Sequence, residues 1–170
     1  MLSMIHEKFP TARCVGVEYS RELVELGRNA YPDIEIFRGD VQELEMDDAG
    51  FDVVIAAAVI EHLSDPFRFM AEVHRVLRPG GILVLTSPDP FWESVATKVG
   101  HLSDEQHSKV MNLTELCLLI SQMGMDIVEA EKFMVSPVGM PFELAVERVL
   151  RRLHLRLLMA NQIVVARKPF

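Results

Sequence analysis

Residues 51–88, "FDVVIAAAVIEHLSDPFRFMAEVHRVLRPGGILVLTSP", place one capped helix between two unbroken apolar runs. "FDVVIAAAV" and "GILVLTS" are continuous rather than alternating, as strands are when helices cover both faces of their sheet. Between them, Asp65 is suited to be an N-cap and Pro66 the first helical residue. Phe69, Val73, Val76 and Leu77 recur at helical spacing, and Gly80 is suited to close the helix. A strand, a helix and a second buried strand in this order make a βαβ unit, which commits the chain to a sheet with parallel neighbours.

The same alternation extends to both sides. "RCVGVE" (13–18) is an apolar run, Ser20 can cap a helix reaching about Ala30, and "DIEIF" (33–37) alternates as a strand does. Downstream, Asn112 with Glu115 forms a capping-box pattern for a helix ending at Gly124. "DIVEAEKFMV" then reads as a strand, residues 141–157 as a helix, and "NQIVVARK" as a last strand. The predicted order is α-β-α-β-β-α-β-α-β-α-β, a Rossmann-like, doubly wound, mostly parallel α/β sheet in a single domain over residues 1–170. The longest irregular stretch, 87–111, is the expected substrate loop or lid.

Composition narrows the class. Hydrophobic residues make up 49% and charged ones 25%, as in folded globular chains. No apolar run is long enough for a membrane span, and the first ten residues carry His6, Glu7 and Lys8 too early for a signal peptide. Cys14 and Cys117 lie far apart, which suits buried free thiols in a reducing cytoplasm. A net charge of −8 argues against a general nucleic-acid binder. The charge is uneven: from Ala145 onward five Arg and one Lys face one Glu, about +5, leaving about −13 for the rest. The amphipathic "ELAVERVLRRLHLRLL" there reads as a solvated helix face, or as a contact for an anionic substrate or lipid surface.

In open α/β sheets ligands bind beyond the carboxyl ends of the strands. Here those ends carry Glu18, Gly39-Asp40, Glu61-His62 and Ser87-Pro88-Asp89. A carboxylate is the natural bidentate acceptor for a ribose diol, and an exocyclic adenine amine also needs an acceptor. Small residues at Ala57 and Ala58 leave room for a cofactor near the backbone. A nicotinamide dehydrogenase would use Glu18 equally well, but it leaves Asp40 and the "EHL" turn unexplained and wants a Gly-x-Gly-x-x-Gly loop.

The stretch "VGVEYS…GDVQELEMDDAGFDVVIAAAVIEHLSDPFRFMAEVHRVLRPGGILVLTSP" resembles the body of a class I S-adenosylmethionine-dependent methyltransferase of the broad type 11 group, over about residues 1–90. "VIEHLSDP" followed by "LRPGG" is the most recognisable part. The resemblance implies S-adenosylmethionine as cofactor, a small-molecule acceptor, and an antiparallel C-terminal strand. Glu18, followed by Tyr19, would take the ribose hydroxyls; Gly39, Asp40 and Val41 would read the adenine; Ala57 and Ala58 would lie near the methionine part. His62 is the candidate general base, or a helix-entry residue capping backbone groups. His101 and His107 read as loop residues. Phe91 and Trp92 could wall an apolar acceptor or pin the loop to the core, and the Met-rich "FMVSPVGMPFEL" could do either. No metal site is expected, because neither cysteine has a partner at ligand spacing and no His-x-x-x-His pair occurs.

The family begins with a strand and a glycine-rich loop, whereas the twelve residues before "RCVGVE" contain no glycine and resemble the latter part of the following helix. A truncated domain is therefore expected. It would leave a gap of roughly 9–10 Å, two strand spacings, between the strands at 13–18 and 52–57. Direct pairing of those strands, a second copy, or a longer natural chain could close it. A non-catalytic remnant that keeps the fold without the cofactor is the competing function.

Overall fold

The computed structural model describes residues 1–92, 94, 110–133, 148, 152 and 159–170. They form two compact units, Met1–Met46 and Asp47–Phe170. The predicted helix at 141–157, the Met-rich stretch beyond Phe133 and most of the 87–111 segment, with His101 and His107, lie outside the described residues.

In the first unit, α1 (Leu2–Lys8) leads to β1 (Val15–Glu18), α2 (Arg21–Ala30) and β2 (Glu35–Arg38). β1 and β2 pair in parallel, Val15 opposite Glu35 and Glu18 opposite Arg38. Ser20 caps α2 by accepting the Leu23 N–H, as its position predicts. Val24, Ile34 and Cys14 are buried here, and Arg13 grips Glu35 through two hydrogen bonds of 2.7 and 2.9 Å. That guanidinium, chiefly through its hydrogen bonds, holds the Glu35 carboxyl below its ordinary value.

The second unit contains β3 (Phe51–Ala57), a 3₁₀ turn (Ile60–His62), α3 (Pro66–Val76) and β4 (Leu77–Pro88). These are followed by α4 (Leu113–Gln122), β5 (Asp126–Phe133) and β6 (Asn161–Arg167). The sheet order is β3-β4-β6-β5. β3 and β4 are parallel, while β6 runs antiparallel to both of its neighbours, which places the expected antiparallel C-terminal strand. Leu83 and Leu85 of β4 lie opposite Ala166 and Val164 of β6. All four are fully buried, together with Val73 and Met70 of α3 and Leu116 and Ile120 of α4. α3 packs on β4, α4 on β5 and β6, and the two helices touch. Each such aliphatic side chain contributes about 1.5–3 kcal/mol by leaving water.

The caps follow the sequence closely. Asp65 accepts the Phe67 and Arg68 N–H groups with Pro66 at the first helical position, and Asn112 with Glu115 makes a complete capping box.

Two expectations change. Gly80 does not end α3: the helix stops at Val76, and Leu77 already pairs with Phe51 as strand. The register then slips before Val53 meets Ile82, so "RPGG" is an irregularity inside β4. Gly80 adopts φ +76° there, and a Cβ on it would lie 2.8 Å from the Phe170 ring. The Gly80 N–H donates to the Lys168 carbonyl and the Lys168 N–H donates to the Gly81 carbonyl. Lys168 Nζ donates to the His74 and Leu77 carbonyls at the end of α3.

Second, β3 is not buried on both faces; Val53 is 49% exposed. Among the described residues β1 pairs with β2 in the first unit and β3 pairs with β4 in the second. No described helix is long and apolar enough to cross a membrane.

Candidate functional site

In the first unit the candidates sit just past the ends of β1 and β2. Glu18 is half-buried. Its Oε1 accepts the Ser20 N–H at 2.8 Å, while Oε2 has no hydrogen bond among the described residues. One oxygen thus fixes the carboxylate and the other is available to a ligand. The Glu18 carbonyl accepts the Gly39 N–H at 3.1 Å, tying the two strand ends together. A Cβ on Gly39 would come within 3.3 Å of Val17 Cγ1, so a side chain there would press on β1. Tyr19 is 74% exposed, and its carbonyl accepts from Arg38 Nε at 3.3 Å.

Asp40 is exposed, and its Oδ1 accepts the Gln42 N–H at 2.8 Å across the half-buried Val41. Gln42 Nε2 also lies 3.2 and 3.3 Å from its two carboxylate oxygens. This is an Asx turn, which sets the carboxylate in one orientation without a cation. An incoming amine would compete with the Gln42 amide, not with the backbone. Both acids expected to hold the adenosine end are therefore presented at strand ends, each oriented by a local hydrogen bond.

In the second unit, Ala57 and Ala58 are exposed at the end of β3. Ala58 has φ +52°, the left-handed region that costs a side-chain-bearing residue about 1 kcal/mol, and its N–H donates to the Thr86 carbonyl at 3.0 Å. Strain of this kind, held by a neighbouring strand, is typical of ligand-binding positions. The 3₁₀ turn that follows exposes His62 and buries Glu61 to 2%, a buried carboxylate that nothing in the "EHL" sequence pattern announces.

The end of β4 differs from the sequence reading. Ser87 and Asp89 are each only 2% exposed, so they do not line an open rim. Asp89 Oδ1 accepts the Phe91 N–H at 3.1 Å, Oδ2 pairs with Lys132 of β5, and its own N–H donates to the Ala160 carbonyl at 2.8 Å. Fully buried Gln162 donates through Nε2 to Ser87 Oγ and the Pro88 carbonyl, both at 3.1 Å, and to the Met111 carbonyl. These groups tie the strands together. Gln162 and Lys132 come from segments far along the chain, so no local signal could have shown it.

The first 85 residues, half of the chain, match the family model described as "Methyltransferase domain". The chain belongs to that methyltransferase family. A protein of Mycolicibacterium smegmatis, named as a probable S-adenosylmethionine-dependent methyltransferase, is 34% identical over 115 residues. The match takes in 68% of this chain and 44% of the relative. A demethylmenaquinone methyltransferase of Chlorobaculum tepidum is 36% identical over 81 residues, 48% of this chain and 34% of the relative. A trans-aconitate 2-methyltransferase of Azoarcus is 35% identical over 86 residues, 51% of this chain and 34% of the relative. The match thus spans less than half the length of these relatives. Among solved structures, a chain in the complex between the Haloferax volcanii Trm112 methyltransferase activator and a methyltransferase superposes with TM-score 0.78. The two are 19% identical, and the superposition covers 99% of this chain and 77% of that one, a likeness of fold. The α/β fold is that of class I methyltransferases.

Proposed function

We propose that this methyltransferase uses S-adenosylmethionine to methylate a small molecule. The observation that carries this reading is Glu18, held by the Ser20 N–H through one oxygen with the other open to a ligand. The residues fit the adenosine end of that cofactor. Glu18 takes the ribose hydroxyls; Asp40, oriented by its Asx turn, accepts from the adenine amine beside Val41; Gly39 keeps the turn close to β1. Tyr19 continues the same strand end. By the family resemblance, Ala57 and Ala58, small and exposed at the end of β3, would be the residues beside the methionine part.

The cofactor supplies an electrophilic methyl group on a sulfonium. The protein's work is alignment and exclusion of water, with little covalent help needed. For a hydroxyl or amine acceptor, His62 receives the proton on a ring nitrogen, a contribution of about 10²–10⁴-fold. The domain is read as cytoplasmic from its two free cysteines.

Isothermal titration with S-adenosylmethionine and S-adenosylhomocysteine tests the assignment. Micromolar binding is expected in the wild-type chain. Asp40→Ala and Glu18→Gln should each weaken it by roughly 10- to 150-fold, the worth of one charge-assisted hydrogen bond. Wild-type protein that binds neither ligand at millimolar concentration would sink the reading and leave the fold as a scaffold without its cofactor.

A further inference from the structure

Asp89 and Lys132 form an ion pair with 3% and 21% of their side chains exposed. Burying two charges brings little net stability, because desolvation offsets most of their attraction. What the pair does secure is geometry. Asp89 sits immediately after β4, and its second oxygen holds the Phe91 N–H at 3.1 Å. The Asp89 N–H is itself fixed on the Ala160 carbonyl at 2.8 Å. Asp89 thus stands two residues before Phe91, with Pro90 between them, and caps the helical residues that follow as Asp65 caps α3; the Phe91 ring is 63% exposed. The ring stands edge-on to Trp92, 5.6 Å between centroids with an interplanar angle of 83°, so it is braced on one side and open on another. The place, beyond the carboxyl end of a parallel strand, is where open sheets of this kind receive ligands.

We infer that Phe91 is a specificity-determining contact for a planar apolar ring in the methyl acceptor, and that the Asp89–Lys132 pair is the positioning element that holds it. The inference rests on the methyltransferase reading for the word acceptor, but the contact is measurable without turnover. The full 170-residue chain would be titrated calorimetrically with 1-naphthol, a planar apolar ring carrying a hydroxyl, and with citrate, a compact tricarboxylate. Naphthol should bind, citrate should not, and Phe91→Ala should weaken naphthol by about tenfold, the worth of one aromatic contact.

For the positioning pair, Trp92 is the sole tryptophan of the chain, so its emission reports this segment alone. Lys132→Met should shift that emission in protein whose circular dichroism shows it folded, and Lys132→Arg should restore it. A pair with a merely structural role would lower the melting temperature and leave the emission where it was. Equal naphthol affinity in wild type and Phe91→Ala, or a preference for citrate, overturns the specificity assignment. Unchanged Trp92 emission in folded Lys132→Met overturns the positioning one. Titration of the wild-type chain with S-adenosylhomocysteine reads the methyltransferase assignment separately, and its failure would leave the naphthol result to stand or fall by itself.

Discussion

Replacing Lys168 with Met removes the only side-chain amine reaching the end of α3 among the described residues. Lys168 Nζ donates to the His74 carbonyl at 2.7 Å and to the Leu77 carbonyl at 2.8 Å, both half-buried bonds. Each bond from a charged donor is worth about 1.5–3 kcal/mol. Ordering the lysine stem costs up to about 2 kcal/mol, and water can reach part of the exposed carbonyls. The net loss should be about 2–3 kcal/mol, including the charge complement to the helix end. For a chain of this length that corresponds to roughly 4–12 °C in melting temperature.

The same substitution carries a pH signature. Burial first, and then the Lys168 charge, hold the His74 imidazole below its ordinary value. Below the unfolded value of about 6.5 the unfolded chain binds more protons at this histidine than the folded one. The stabilisation from neutral His74 is therefore fully present above about pH 6.5 and is lost as pH falls through the lower folded value. Lys168→Met relieves the smaller cause and leaves burial in place, so it should lose less stability than wild type between about pH 7 and pH 5. Guanidinium denaturation at the two pH values measures both effects. A variant within about 0.5 kcal/mol of wild type at pH 7, a change typical of featureless surface sites, would refute the capping argument. An acid loss equal to wild type's would refute the coupling to His74.

Gln162→Met should destabilise by about 1–3 kcal/mol, because the Pro88 and Met111 carbonyls lose their shared donor; an unchanged denaturation midpoint would contradict this. Ala58→Gly should be neutral or stabilising by up to about 1 kcal/mol, whereas Ala58→Val, β-branched at φ +52°, should cost about 1–3 kcal/mol. The ordering of the two, read from thermal melts, is the test. Gly80→Ala meets both the positive φ and the Phe170 ring and should cost about 1–2 kcal/mol. The double variant with Phe170→Ala should recover part of that loss if the ring clash is real.

What could be read from the sequence was local. Ser20, Asp65 and the Asn112–Glu115 box cap the helices they were expected to cap, because a cap is decided within three or four residues. The apolar runs located the strands, and the resemblance supplied the reversed direction of β6. What escaped was set by partners distant in sequence. Gly80 looks like a helix stop, but the stop comes earlier because Leu77 finds Phe51 and the Lys168 backbone claims Gly80 and Gly81. Asp89 looks like a rim acid until Lys132, 43 positions on, is seen to bury it. Glu18 and Asp40 do stand at the strand ends where the sequence placed them, and the partners that orient them, Ser20 and Gln42, are two residues away.

The antiparallel β6 also governs the order in which the second unit can be made. β4 and β5 do not touch each other in the sheet; each pairs with β6, whose Gln162 lies 75 positions beyond Ser87. During synthesis, β3, α3 and β4 can assemble early as a local βαβ unit. β5 must wait, with its edge open, until residues 161–167 emerge. Pairings over such separations are slow to form and leave strands exposed in the meantime. A chaperone encountering the nascent chain would therefore find β5 unpaired long after the parallel half of the sheet had set.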